Sequence, residues 1–182
     1  MKENSIIKNT LFILLGAFLI SISGQLPLQL PLISTDIPGT WQTFVVLVFA
    51  FSTSRLVGTL AVFVYLVAGA LGLPVFADSS SGVDVILGNT GGYLYGFLVG
   101  AGFVGWFGER YSRNHFMKNL LAMTIGTLII LVIGVSHLGL QIGFENALKY
   151  GFYSFLLGAG IKIILGAAVL PLYFFIKNTR RN

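Results

Sequence analysis

Charged side chains are confined to a few short clusters in this chain, and the stretches between them are long, apolar and rich in glycine. No charged residue lies between Lys118 and Glu145, for example. A bilayer-crossing helix needs roughly 20 apolar residues, with about 17 to 25 as the usual range, so this pattern constrains the fold more than any single motif does. Only 9% of the 182 residues are charged, against about 25% in soluble domains, and the mean hydropathy is +0.89. Too few polar groups exist to coat a water-facing surface. The composition excludes a soluble cytosolic enzyme, a disordered chain and a nucleic-acid binder, and points to an all-α membrane protein.

Measured against the bilayer, the chain divides into six expected spans, at about residues 9–26, 40–53, 56–73, 90–107, 119–140 and 149–176, within one integral-membrane domain, 1–182. Pro27 and Pro31 end the first span, and Pro74 closes the third. The second is short: at about 1.5 Å per residue it rises about 21 Å against a core of roughly 30 Å. It must be shielded by its neighbours or sit where the bilayer is thinned. The 23 glycines fit a bundle whose backbones approach closely.

The charges give an independent test, because cytoplasmic loops carry excess Lys and Arg. Six spans put Lys2, Lys8, Arg55, Arg110, Arg113, Lys118, Lys177, Arg180 and Arg181 on one side, nine of the eleven basic residues. Asp36, Asp78, Asp84 and Glu145 fall on the other with Lys149. Both termini are therefore expected in the cytoplasm. A competing reading makes the N-terminus a cleaved signal peptide, since Lys2 and Lys8 precede an apolar run ending in Ser21, Ser23 and Gly24. That site is not a clean A-x-A.

One charge remains inside a span. Lys162 lies near the middle of the last one, where insertion costs roughly 2.5 to 3.5 kcal/mol and such residues face a bundle interior or polar cavity. Its helical neighbours Gly158, Ala159 and Gly166 leave room on that face. An anionic ligand group is its natural partner; the alternative is a lysine that snorkels or pairs with a backbone carbonyl. Gly88, Gly92, Gly96 and Gly100 recur every fourth residue, a stripe suited to close packing, and Gly91 and Gly92 are also placed to unwind a helix start near a ligand. The polar loop 78–82 suits a lid, or equally a plain solvent loop.

Other machinery is missing. Cysteine is absent, and His115 and His137 stand far apart, so no metal site or cofactor is expected. No G-x-x-x-x-G-K-[ST] phosphate loop, H-E-x-x-H or G-x-S-x-G occurs. The chain is expected to be no enzyme, and to hydrolyse no ATP by itself.

Three co-linear motifs carry a family resemblance. A pattern V-P-x-T-x-Q-T-F is matched by Ile37-Pro38-Gly39-Thr40-Trp41-Gln42-Thr43-Phe44, and Y-L-x-x-G-x-x-G-L-P-V-F-A by the run from Tyr65 to Ala77. G-P-T-G-G-Y-L is matched by Gly88-Asn89-Thr90-Gly91-Gly92-Tyr93-Leu94, followed by Gly96-Phe97. The chain thus resembles the BioY proteins, the biotin-binding S components of energy-coupling factor (ECF) transporters, from its first span to its last.

The resemblance implies a high-affinity vitamin-capture subunit in the bacterial plasma membrane, working with a transmembrane coupling protein and a pair of ATPases. It implies binding roles for Thr40, Gln42, Thr90, Tyr93 and Lys162. Lys162 matches the lysine of a family D-x-x-K pattern and would meet the biotin carboxylate. Two departures stand out: Ala159 replaces that aspartate, and Asn89 the proline of G-P-T-G-G. Asn89 or Asp84 would then supply acceptors for the ureido N–H groups; alternatively the ligand is another small vitamin-like anion, or the chain is a structural membrane subunit. Ala17-x-x-x-Ser21 corresponds to the small-residue surface by which S components dock their coupling protein.

Overall fold

The computed structural model describes residues 2–28, 39–111 and 115–179, with side chains for 5–28, 39–111, 115–172 and 174. The placements expected for Asp36, Arg113, Arg180 and Arg181, and the Ile37-Pro38 pair of the first motif, lie outside these limits. So do the side chains of Lys2 and Lys177.

Eight α-helices follow in order: α1 (Lys2–Gly24), α2 (Gln42–Ser52), α3 (Arg55–Ala70), α4 (Val83–Leu87), α5 (Gly91–Arg110), α6 (Phe116–Ile142), α7 (Phe144–Asn146) and α8 (Ser154–Thr179). A π-helical segment, Ala147–Tyr153, joins α7 to α8, and a 3-10 turn, Ala77–Ser79, precedes α4. No strand occurs among the described residues; an isolated bridge pairs Pro27 with Thr40 and ties the end of α1 to the start of α2. Among the described residues, three stretches are long and apolar enough to cross a membrane: Ser5–Gly24, Phe116–Ile142 and Phe144–Leu172. The helix α2 is shorter than its expected span, 11 residues or about 16 Å. The region 77–89, expected as loop, contains α4 and the 3-10 turn.

Local chemistry explains the boundaries. Ser54 caps α3 by accepting a hydrogen bond from Val57 N at 3.2 Å. The same tight turn rests against the far end of α5, where Glu109 Oε1 accepts from Arg55 N at 2.7 Å and a Cβ on Gly105 would lie 2.7 Å from Arg55 Cα. Because residues four apart share a helix face, Gly92, Gly96 and Gly100 form one stripe that α6 overlies. A Cβ on Gly96 would fall 2.9 Å from Ile130 Cα, and one on Gly92 2.4 Å from His137 Cβ. Packing is thus the use of this stripe. Gly91 and Gly92 are helical, with no unwinding: Gly91 N donates to Gly88 O at 3.0 Å, as the first turn requires.

The core draws on every long helix. Ile20, Leu47, Phe51, Tyr65, Val104, Ile130 and Leu170 are essentially inaccessible, and Phe76 joins them from the loop after α3. Apolar side chains also cover the outside: Leu11, Leu14, Leu15, Phe18 and Ile22 on α1, Leu121, Leu128 and Val132 on α6, and Ile164, Leu165 and Leu172 on α8 are exposed. Such a surface suits lipid rather than water. Ala17 is 8% exposed and packs with the core residues. Ser21 turns its hydroxyl back to Ala17 O at 2.8 Å.

Candidate functional site

A cavity of about 460 Å³ opens between α2, α5, α6 and α8, beneath the segment 76–90. That size falls in the usual range for small-molecule sites, roughly 300 to 1,000 Å³. All seven residues expected at a binding site line it: Thr40, Gln42, Asp84, Asn89, Thr90, Tyr93 and Lys162. They come from two of the three motifs, from the short helix α4 and from the last helix. Ala159, one turn before Lys162, lines it too, so the acid of the D-x-x-K pattern is absent from a wall of this cavity.

Lys162 is buried at 7% exposure and donates to Thr40 O at 2.5 Å. Both readings of the lysine therefore describe it: it pairs with a backbone carbonyl and it faces the cavity. An ammonium group carries three donors, and the Thr40 carbonyl takes one. Thr40 is held in turn by Gln42, whose backbone N donates to Thr40 Oγ1 at 3.3 Å while its Oε1 accepts from that hydroxyl at 3.3 Å. The Gln42 amide also donates to Tyr65 OH at 2.7 Å and Ile20 O at 3.4 Å. Gly24 makes this possible, since a Cβ there would lie 2.5 Å from Gln42 Nε2. With its amide hydrogens engaged inside the protein, Gln42 chiefly fixes the wall that receives Lys162.

Tyr93 is fixed differently. Its hydroxyl donates to Gly151 O at 2.8 Å, in the π-helical segment, and its ring tilts against Phe155 with centroids 5.7 Å apart. Two glycines make the slot: a Cβ on Gly134 would lie 2.3 Å from the ring, and one on Gly151 2.5 Å from the hydroxyl. Tyr93, Phe155, Phe97 and Phe76 supply an aromatic lining of the kind that buries an apolar ring or chain.

The mouth is polar. Asp78, Asp84 and Asn89 are exposed there, with Ser80 and Thr90 partly buried. Gln25, at the end of α1, holds the segment in place: its amide donates to Phe76 O at 2.8 Å, and its Oε1 accepts from Ser79 N at 2.9 Å and Ser79 Oγ at 3.1 Å. Asp78 and Ser79 adopt positive φ, 54° and 55°, a conformation that needs such external ties. On the other side Gln141 Nε2 donates to Leu87 O at 2.8 Å, and His137 Nε2 lies 3.0 Å from Gly88 O and 2.8 Å from Gln141 Nε2. No group of three or more His, Cys, Asp or Glu suited to a metal ion occurs among the described residues.

Several lining residues escape sequence reasoning. Thr127, Phe155 and the anchoring role of Gln25 have no motif signal, and Thr43, a fixed position of the first motif, is not marked there as a cavity residue; a threonine in a long apolar run is visible, but its facing is not.

The BioY family profile matches residues 1–178. The chain is 37% identical to "Biotin transporter BioY" of Thermotoga maritima over 134 residues, 73% of this chain and 78% of that protein. It is 33% identical to "Biotin transporter BioY2" of Lactococcus lactis subsp. cremoris, over 90% of this chain and 88% of that protein. With "Probable biotin transporter BioY" of Rickettsia prowazekii it shares 27% identity over its whole length and 90% of the relative. A solved structure, the S-component for biotin from an ECF-type ABC transporter, superimposes with a TM-score of 0.82 at 23% identity, covering 95% of this chain and 94% of that one. Its fold is thus shared. From motifs to matched length, the chain belongs to the BioY family.

Proposed function

We propose that this protein is the high-affinity biotin-binding S component of an ATP-driven vitamin uptake transporter. The observation that carries the reading is the cavity itself: in a chain matched to the BioY family over nearly its whole length, three family motifs and the mid-span Lys162 meet on one surface. The carboxylate of biotin pairs with the Lys162 ammonium, a charge-assisted contact in a poorly solvated site. Tyr93, Phe97 and Phe155 bury the ring and tail, and Asp84, Asn89 and Thr90 offer acceptors to the ureido N–H groups in place of the aspartate that Ala159 lacks.

The protein crosses the bacterial plasma membrane six times with both termini in the cytoplasm. Contact between Arg55 and Glu109 supports placing the α2–α3 turn and the end of α5 on one face, as the basic residues suggest. Energy comes from a transmembrane coupling protein and an ATPase pair, since the chain has no phosphate loop of its own. Isothermal titration of the detergent-purified protein with biotin tests the core of this reading. Saturable binding is expected; no heat at ligand concentrations on the order of micromolar would sink it. Ala159 favours one second reading, a different small carboxylate, and competition by other vitamin acids in the same titration distinguishes it.

A further inference from the structure

Threonines inside helices usually satisfy their own hydroxyls by donating to the carbonyl one turn back. Thr10, Thr53 and Thr124 do so here, at 3.0, 2.8 and 2.8 Å. Thr127 does not. The residue is buried, at 3% exposure, and its hydroxyl closes on no carbonyl one turn back; it borders the cavity and is not a fully enclosed unpaired hydroxyl of the kind that Thr59 carries. It lines the main cavity and also an adjoining recess of about 10 Å³, where the other polar side chains are Thr43 and Lys162. Along α6 it lies ten residues before His137, which holds the mouth at Gly88, so it sits about 15 Å deeper at 1.5 Å per residue.

This hydroxyl shares its recess with an ammonium group whose three donors are not exhausted by Thr40 O. The chemical complement of an O–H donor beside an N⁺–H donor is an acceptor-only group with two oxygens, which is an ionised carboxylate. We propose that Thr127 is a specificity-determining residue that donates to the carboxylate of the ligand beside Lys162, so that the site selects free acids over their esters. The proposal rests on the carboxylate–Lys162 reading given under Proposed function and adds a second, uncharged contact to it. An ester keeps an acceptor oxygen but loses the charge and one of the two strong acceptors. It cannot satisfy both donors equally.

The test uses the full chain in detergent, titrated with biotin and with biotin methyl ester. Thr127→Val keeps the shape and removes the hydroxyl. It is expected to weaken biotin about tenfold, the lower end for one hydrogen bond to a charged group, and to change ester affinity by less than about twofold. Thr127→Ser, which restores a hydroxyl, is expected within about threefold of the wild type for biotin. If valine disturbs folding, as judged by size-exclusion profile, Thr127→Ala reads the same acid-to-ester difference. Unchanged biotin affinity in the hydroxyl-free variant, or equal losses for acid and ester, overturns the proposal; the second result marks a packing role. A wild-type protein that binds no biotin removes the underlying reading and this one with it, which the variant results alone do not.

Discussion

The mouth of the cavity and its inner wall are made of different material. At the mouth, Asp78, Asp84 and Asn89 stand on turns and on the five-residue α4, exposed to solvent, and their order depends on side chains reaching in from elsewhere, such as Gln25 and Gln141. Along the inner wall, Gln42, Thr127 and Lys162 project from long helices and are each less than a tenth exposed. Polar groups surrounded by water exchange one partner for another at little net cost. Buried ones have no such substitute, and the low local dielectric strengthens every contact they make. On the proposed binding role, the comparison places discrimination between ligands at the inner wall, which would set affinity, and leaves the mouth to shape entry.

Substitutions can break that contrast. Lys162→Ala has the largest expected effect, a loss of about 10- to 150-fold in biotin affinity by titration, the range for a buried hydrogen bond to a charged group. A loss under about threefold would place the carboxylate elsewhere. Gln42→Leu comes next. It leaves the buried Tyr65 hydroxyl without the 2.7 Å contact from Gln42 and releases Thr40, so both stability and binding are expected to fall, the former by about 1 to 3 kcal/mol. A detergent thermal-shift assay reads the first and titration the second. Asp84→Asn at the mouth has the smallest effect: less than about threefold in affinity, with the change shrinking further at high salt because exposed charges are screened. An Asp84 effect larger than that of Gln42 would reverse the assignment of the two regions.

Much of this arrangement is legible in the residues themselves. Hydropathy marks the long apolar stretches because a membrane helix must be apolar along its length, although α1 begins at Lys2 and not near residue 9, and the four-residue glycine interval identifies the α5–α6 contact because only small residues allow it. The convergence of Thr40, Asn89, Tyr93 and Lys162 follows from the motifs. The facing of side chains is harder. Thr124 and Thr127 look alike in sequence, yet one closes on Leu120 O and the other lines the cavity, a difference fixed by where α8 packs. Gln42 has the chemistry of a ligand contact, but the donors it brings are taken by Tyr65 and Ile20, residues distant in sequence. Region 77–89 reads as loop because its helical pieces are too short for periodicity to reveal.

The π-helical turns at Ala147–Tyr153 set the clocking of the last helix. In this segment the backbone packs more residues into each turn than an α-helix does, and Ser154 Oγ reaches five residues back to Lys149 O at 2.9 Å. Each residue added or removed there changes the phase of everything that follows by about 100°. One deletion between 147 and 153 would therefore swing Lys162 off the cavity and towards the lipid face where Ile164 and Leu165 now point. The irregular stretch acts as a phase-setter for a charge placed about two turns further along.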